Sequence, residues 1–479
     1  MAFRQCPKRL WLQVHRPELA VVDPGMEARF ASGNRVGEVA REIRPGGYLI
    51  ESVRDFTGAL RETRELLAVD GDRTLFEPAF AAGGALARVD VLERRGGQYR
   101  LVEVKSASSV KEQYLEDVAI QAWVVQGAGL PLARVALAHV DNTFVYGGEG
   151  DYTGLFREVE LDRQIEPLLD EVPQWVASAQ QTLAGEMPVI DIGPHCTRPY
   201  ECEFRTWCGR DEPEYPVTIL PNGGKLAWKL RAEGVRDLRD VPEAQLSNPK
   251  HLTVWRASRS GAAEIDRRIA ALMRELPYPR SYLDFETIGP AVPLWTGTRP
   301  YQRMPVQWSC HVQDADRELV ALDALIATGA DPRRAFAESV VNAVPAEGPV
   351  LAYNAAFERG VLHELAEAQP EFAVQLRQIA GRLVDLLPIT RDRYYHPAMK
   401  GSWSLKAVLP TIAPDLDYAN LDGGVQSGRD VESIYAQIID PATSREVRQS
   451  LESALVTYCA RDTLALVRMV AFFEAQDTV

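Results

Sequence analysis

Apolar and polar residues alternate at period two through residues 86–105, on either side of Gly96-Gly97. That pattern predicts a β-hairpin with a tight two-residue turn. Elsewhere the periodicity is helical: 25–43 reads as an amphipathic helix, 114–125 as a helix after the hairpin, and 161–183 as a longer one. A strand is predicted at 134–140 and another at 281–289, ending in Gly289. Residues 225–269 read as largely helical, and 226–242 as a possible helix-hairpin-helix turning at Gly234-Val235, with a plain helical linker as the alternative. Proline-rich stretches at 211–216 and 276–279 mark two boundaries.

Side chains at i and i+2 of a strand share a face. Glu103 and Lys105 therefore point one way, and Val102 and Val104 the other, where they can pack. The turn brings Asp90 near Glu103, so two carboxylates and an amine converge. Carboxylates suit Mg²⁺ or Mn²⁺, and an adjacent lysine can orient water or stabilise developing phosphate charge. An exposed strand with ordinary surface charges is the plainer alternative.

These residues resemble the PD-(D/E)XK nuclease superfamily. Asp90 stands at the first carboxylate, Glu103-Val104-Lys105 at the E-x-K, and Gln121 at the glutamine of the RecB-like branch. The resemblance implies a RecB-like nuclease domain with Asp90, Glu103, Lys105 and Gln121 in its site. RecB-like members place a histidine in the preceding helix, at the position of Gly37; this chain has none there, and Glu38 is the candidate substitute.

Of the 479 residues, 46% are hydrophobic, enough for two to four domain cores. No apolar run reaches membrane-span length and no signal-peptide pattern opens the chain, so the expectation is a cytoplasmic protein without membrane contact. The net charge of −14 argues against a general nucleic-acid coating protein. Nucleic acid as a partner then requires local basic patches, and Arg4, Lys8, Arg9 and Arg16 are one candidate.

Clustered cysteines in a cytosolic chain read as metal or redox ligands. Cys196, Cys202 and Cys208 are evenly spaced, Cys6 is the distant fourth, and His195 is a neighbour. Four thiolates suit Zn²⁺ or a [4Fe–4S] cluster. One cysteine before the core and three after it resembles the iron–sulfur nucleases of the CRISPR-associated and AddB-like kind, in which a cluster clasps the two ends of the domain. The wider gap between Cys196 and Cys202 keeps zinc open. Cys310 and Cys459 have no partners at ligand spacing and read as core residues.

Asp284 and Glu286 share a face of the strand at 281–289, and Tyr458 and Asp462 share a helix face at i, i+4. With acidic groups from the intervening segments, they can surround two divalent ions. The order resembles the DEDD exonucleases of the RNase H-like fold. Asp284 and Glu286 match the first motif, Asn354 to Glu358 the second, and Tyr458-x-x-x-Asp462 the third, in its tyrosine variety. Glu358 stands where the family carries Asp, and Asp385 is an alternative ligand. The resemblance implies Mg²⁺ or Mn²⁺ on Asp284, Glu286, Glu358 or Asp385, and Asp462, with Tyr458 orienting water. The aromatic, basic segment 394–406 can stack on bases and meet phosphate, or be a structural loop.

The whole chain resembles a bacterial family, domain of unknown function 2779, that fuses these two modules. The expected architecture is α/β: a PD-(D/E)XK nuclease-like domain with a cysteine-bound cluster at 1–215, a helical linker at 216–275, and an RNase H-like domain with a mixed sheet at 276–479. The expected activity is metal-dependent hydrolysis of single-stranded DNA or RNA, including 3′–5′ exonuclease action. The alternatives are cleavage at the C-terminal centre alone, and a nucleic-acid-binding adaptor whose degenerate sites are scaffolds.

Overall fold

A computed structural model describes residues 1–21, 24–52, 55–416, 425, 428 and 430–476. The chain is α/β and divides into two compact units: Met1–Arg210 with Pro290–Gln302, and Asp211–Gly289 with Arg303–Val479. The helical stretch expected as a linker thus packs with the second unit. No helix among the described residues is long and apolar enough to cross a membrane.

The first unit is built on a six-stranded mixed sheet in the order Tyr48–Leu49, Arg73–Phe76, Val91–Arg95, Gln98–Lys105, Leu132–Val140, Phe156–Glu160. Val91–Arg95 and Gln98–Lys105 form the predicted hairpin, and Gly96 and Gly97 turn at φ 55° and 80°, where only glycine is unstrained. The hairpin is shorter than expected. Ala85–Arg88 pairs instead with Ala79–Ala82, so the chain breaks direction just before Asp90. The helix Glu112–Gly127 connects the parallel strands Gln98–Lys105 and Leu132–Val140. Val118, Ala122 and Val125 bury in one core with Leu101 and Leu137. The helix Pro24–Glu42 supplies Val36 and Val39 to a second cluster containing Val104 and Val140. The expected helix at 161–183 is two, Asp162–Leu169 and Val172–Ala184, parted before Pro173.

The second unit has a five-stranded mixed sheet in the order Leu319–Leu325, Met304–Gln313, Arg280–Ile288, Val350–Ala352, Leu383–Asp385. The last three strands are parallel, the others antiparallel. The central strand is buried on both faces. Leu283 and Phe285 pack with Phe336, Val361 and Leu362, while Tyr282 packs with Leu466 and Val470 of the 30-residue helix Arg445–Glu474. The helix-hairpin-helix does not form: after the helix Gly224–Ala232 and Gly234, the second half is only a 3₁₀ turn, Leu238–Asp240.

Candidate active centres and cysteine pocket

The strongest cluster of ligating groups lies at the carboxyl ends of the second unit's parallel strands. Asp284 and Glu286 point from the central strand toward the helix Arg445–Glu474, which carries Tyr458 and Asp462. Ligand oxygens of Asp284, Glu286 and Asp462 all lie within 4.8 Å of one another. Two oxygens bound to one Mg²⁺ at about 2.1 Å stand at most roughly 4.2 Å apart, so this spacing needs little closure to grip an ion. Glu358, at the start of the helix Ala356–Ala368, is 2% exposed, and its Oε2 has no hydrogen-bond partner.

Burial is the leading cause of the raised carboxyl pKa values here, with mutual repulsion behind it. Glu286 is pushed up to about 8 by burial, then by Asp462. Asp284 rises well above the usual carboxylate range by burial, then by Asp462, Glu286 and Glu358. Glu358 is pushed up to about 8 by burial, and the nearby Asp385 adds to the rise. Such a concentration of acids is costly to ionise unless a cation joins it. Asp385 is also tied to the backbone. Its Oδ1 accepts from the backbone N–H of Leu387 and of Asn354, both at 3.0 Å, capping one helix and fixing the turn before the other. Asn354 holds that turn at φ 70°, a left-handed conformation that asparagine tolerates.

Tyr458 is 3% exposed, and burial, then Asp462, raises its phenol pKa, so the hydroxyl stays protonated as a donor. The Lys406 ammonium lies 5.0 Å from the centre of the Tyr458 ring. The Cys459 thiol lies 3.7 Å from Asp284 Oδ2, so the residue that reads as plain core also touches the acidic centre. Of the segment 394–406, Tyr394, Tyr395 and Trp403 are buried in the core, and Lys400 donates to the Glu214 carbonyl at 3.0 Å. Those aromatics support the fold; Lys406 is the residue of this segment beside the acids.

In the first unit, the hairpin and its crossover helix bring the four expected residues together. Asp90 Oδ2 accepts from the Val104 N–H at 2.6 Å. Glu103 is 4% exposed; its Oε1 accepts from Lys105 at 2.6 Å and its Oε2 from Gln121 at 2.8 Å. Burial pushes Glu103 up to about 8 and Asp90 to about 6, with the Asp90 charge adding to the rise of Glu103. Lys105 also donates to Asp117 at 2.7 Å. Asp117 was legible as a site residue, since it precedes Gln121 by one helical turn on the same face. Glu77 is the other addition. It holds φ 58°, its N–H donates to the Asp90 carbonyl at 3.1 Å, and its charge bears on both Asp90 and Glu103. At Gly37, an added side chain would meet the Arg41 guanidinium at 3.7 Å.

Cys6, Cys196, Cys202 and Cys208 line one pocket, with His195 beside them. The N-terminal helix Pro7–His15, which Cys6 caps, is fastened to the later cysteine segment. Gln5 donates to the His195 and Tyr200 carbonyls at 2.7 and 2.8 Å, Lys8 to the Ile190 carbonyl at 3.1 Å, and Arg9 pairs with Glu203 at 2.9 Å. Leu12, Phe204, Trp11 and Trp207 pack around the sulfurs. The Gly193 N–H points at Cys196 Sγ at 3.5 Å. Among the described residues, no three of these sulfurs lie within 4.8 Å of one another. Burial pushes the Cys202 thiol up to about 11 and also raises Cys208. The basic patch near the N-terminus is spent on such contacts: Arg4 pairs with Glu116 at 2.6 Å, Arg16 with Glu18 at 2.5 Å.

No curated protein matches the chain. Residues 281–404, which carry Asp284, Glu286, Glu358 and Asp385 but stop short of Tyr458 and Asp462, match the family model described as Domain of unknown function (DUF2779).

Proposed function

We propose that the chain is a divalent-metal-dependent nuclease acting on single-stranded DNA or RNA, with a 3′–5′ exonuclease centre of the DEDD, RNase H-like kind in its second unit. The observation that carries this reading is the convergence of Asp284, Glu286 and Asp462 within 4.8 Å, beside the buried, unpartnered Oε2 of Glu358. These four carboxylates would hold Mg²⁺ or Mn²⁺. Bound divalent ions supply the charge that activates a nucleophile and neutralises the leaving oxygen of a phosphodiester displacement. Tyr458, protonated and held between Asp462 and Lys406, offers its hydroxyl to position water. Water adds at phosphorus as the bond to the 3′ oxygen breaks, releasing a mononucleotide and a new 3′ hydroxyl. Digestion of a labelled single strand, with Mn²⁺ against a chelator, tests the reading; Asp284→Ala should remove the metal-dependent cleavage.

The first unit is read as a RecB-like PD-(D/E)XK module. Asp90 and Glu103 would hold the ion, Lys105 would face the phosphate, and Gln121 orients Glu103. A second reading leaves cleavage to the acidic centre alone and gives this module the holding of nucleic acid. It draws on Gly37, which offers no side chain where the family carries its extra ligand. An adaptor without activity remains the third account, and cleavage by either centre would exclude it.

The four cysteines are read as ligands of a [4Fe–4S] cluster that clasps the N-terminal helix to the later cysteine segment. Tetrahedral zinc at 2.3 Å would draw sulfurs to about 3.8 Å of one another. The four cysteines lining one pocket support a thiolate-bound group, with zinc as the alternative to the cluster.

A further inference from the structure

A groove of about 490 Å³ opens in the second unit beside the acidic centre, within the range of roughly 300–1,000 Å³ common for ligand clefts. Asn354 and Arg391 line it from the sheet side, Trp403 and Leu405 from the adjoining segment, and Asn222 and Lys250 from the helical stretch before the central strand. Its lining adjoins the acidic centre along the chain at two places. Asn354 lies one turn ahead of Glu358, and Leu405 is followed by Lys406, whose ammonium covers the Tyr458 ring.

Two cations of this groove are not tied up in the ion pairs of the fold. Among the described residues, neither the Lys250 ammonium nor the Arg391 guanidinium has an ion pair, and Arg391 Nε is buried without a hydrogen-bond partner. A polyanion approaching a cluster of carboxylates needs cations along its path, because its phosphates and the acids repel. The Lys250 and Arg391 cations along this open groove meet that need.

We propose that this groove holds the sugar–phosphate backbone of a single strand whose end reaches the acidic centre, with Lys250 and Arg391 each contacting a phosphate. The proposal rests on the nuclease reading and adds to it a function for the helical stretch, which supplies one wall of the strand's path. Asn222 and Asn354 offer amides to sugar or base edges.

The test uses the full chain in a chelator, so that no strand is cut, with labelled oligo-dT and oligo-rU over a series of salt concentrations. Each lost phosphate contact should reduce the salt slope of binding to a single strand by about 0.7, so Lys250→Gln with Arg391→Gln should flatten it by about 1.4. Affinity should fall about tenfold or more at low salt, while stabilisation by Mn²⁺ stays, which certifies the fold and the acidic centre. Lys250→Gln alone, expected to flatten the slope by about 0.7, serves if the double variant is unstable. Equal loss on both strands supports a backbone site; loss on one alone supports it and names the strand. Unchanged affinity and slope on a strand that the wild type binds would overturn the groove and leave the nuclease reading standing. A wild type that binds neither strand would overturn the groove, while Mn²⁺-dependent cleavage tests the nuclease reading separately.

Discussion

Lys105 donates to Asp117 Oδ2 at 2.7 Å, across the join between the hairpin and its crossover helix. The same ammonium donates to Glu103 at 2.6 Å, so one cation serves two acids, one of them almost fully buried. Lys105→Ala removes that cation. Glu103 then keeps only Gln121, and its carboxyl, already near 8, is driven further toward the neutral form. The stability lost in Lys105→Ala should therefore be small at pH 6 and grow toward pH 9, as measured by thermal unfolding at both values. In a background carrying Asp284→Ala, any cleavage left should fall on the order of 10²–10³ with Lys105→Ala. Unchanged residual cleavage would deny Lys105 a catalytic role.

The acidic centre sets a pH dependence of opposite sign to that of ordinary salt-bridged acids. Glu286 and Glu358 hold their protons to about 8, against 4.5 for the ordinary side chain. Folded metal-free protein thus keeps protons that the unfolded chain has released. Their contribution is fully present below about 4.5 and is lost as pH rises through 8. In chelator, the thermal midpoint should decline between pH 5 and 8.5. Mn²⁺ competes with those protons, so its stabilising effect should be larger at pH 8 than at pH 5. A midpoint in chelator that depends on pH equally in wild type and in Asp284→Asn with Glu286→Gln would remove these acids as its source.

Glu358 and Asp385 should separate by what each alanine disturbs. Asp385 Oδ1 accepts two backbone N–H groups, so Asp385→Ala should cost about 0.5–2 kcal/mol of stability, the worth of a helix cap. Its Mn²⁺ affinity should change little. Glu358 has a buried oxygen without a partner, so Glu358→Ala should weaken Mn²⁺ binding while leaving the metal-free protein as stable or more so. Calorimetric metal titration of both variants decides the assignment; the reverse ranking would make Asp385 the ligand.

Protein purified without oxygen should be brown and carry iron and sulfide in equal amounts. Cys202→Ser should lose both and destabilise the first unit, since ligand binding contributes folding free energy. Cys310→Ser, in the second unit's core and not among the residues lining the pocket, should keep the iron whatever it does to stability. Colourless protein with one zinc would retain the four ligands and reject the cluster.

The pairs at i, i+2 and i, i+4 were legible because local geometry alone aims them. Asp284 with Glu286, Glu103 with Lys105, and Tyr458 with Asp462 all follow from strand and helix periods. The spacing of Cys196, Cys202 and Cys208 likewise pointed to a shared pocket, and Cys6 joins it through the bonds of Gln5, Lys8 and Arg9. What stayed hidden depends on long-range packing. Nothing local says that Cys459 touches Asp284, or that the helical stretch around Lys250 lines a groove with Asn354 and Leu405. Aromatic content misled at Tyr394 and Trp403, because the same residue types serve a core as well as a base-stacking surface. Arg4, Arg9 and Arg16 meet acids that a run of basic residues does not disclose.

The most direct test of the central claim is the fate of a 5′-labelled single-stranded oligonucleotide incubated with Mn²⁺ and wild-type chain or Asp284→Ala, read on a sequencing gel. The wild type should produce a descending ladder of shortened labelled strands, as mononucleotides leave the 3′ end. Asp284→Ala, checked for an intact fold, should leave the strand at full length, apart from any internal cuts made by the hairpin site, and should lose most of the Mn²⁺ stabilisation. A ladder and a Mn²⁺ shift that are the same in both proteins would contradict the assignment of Asp284, Glu286, Glu358 and Asp462 as the metal-binding exonuclease centre.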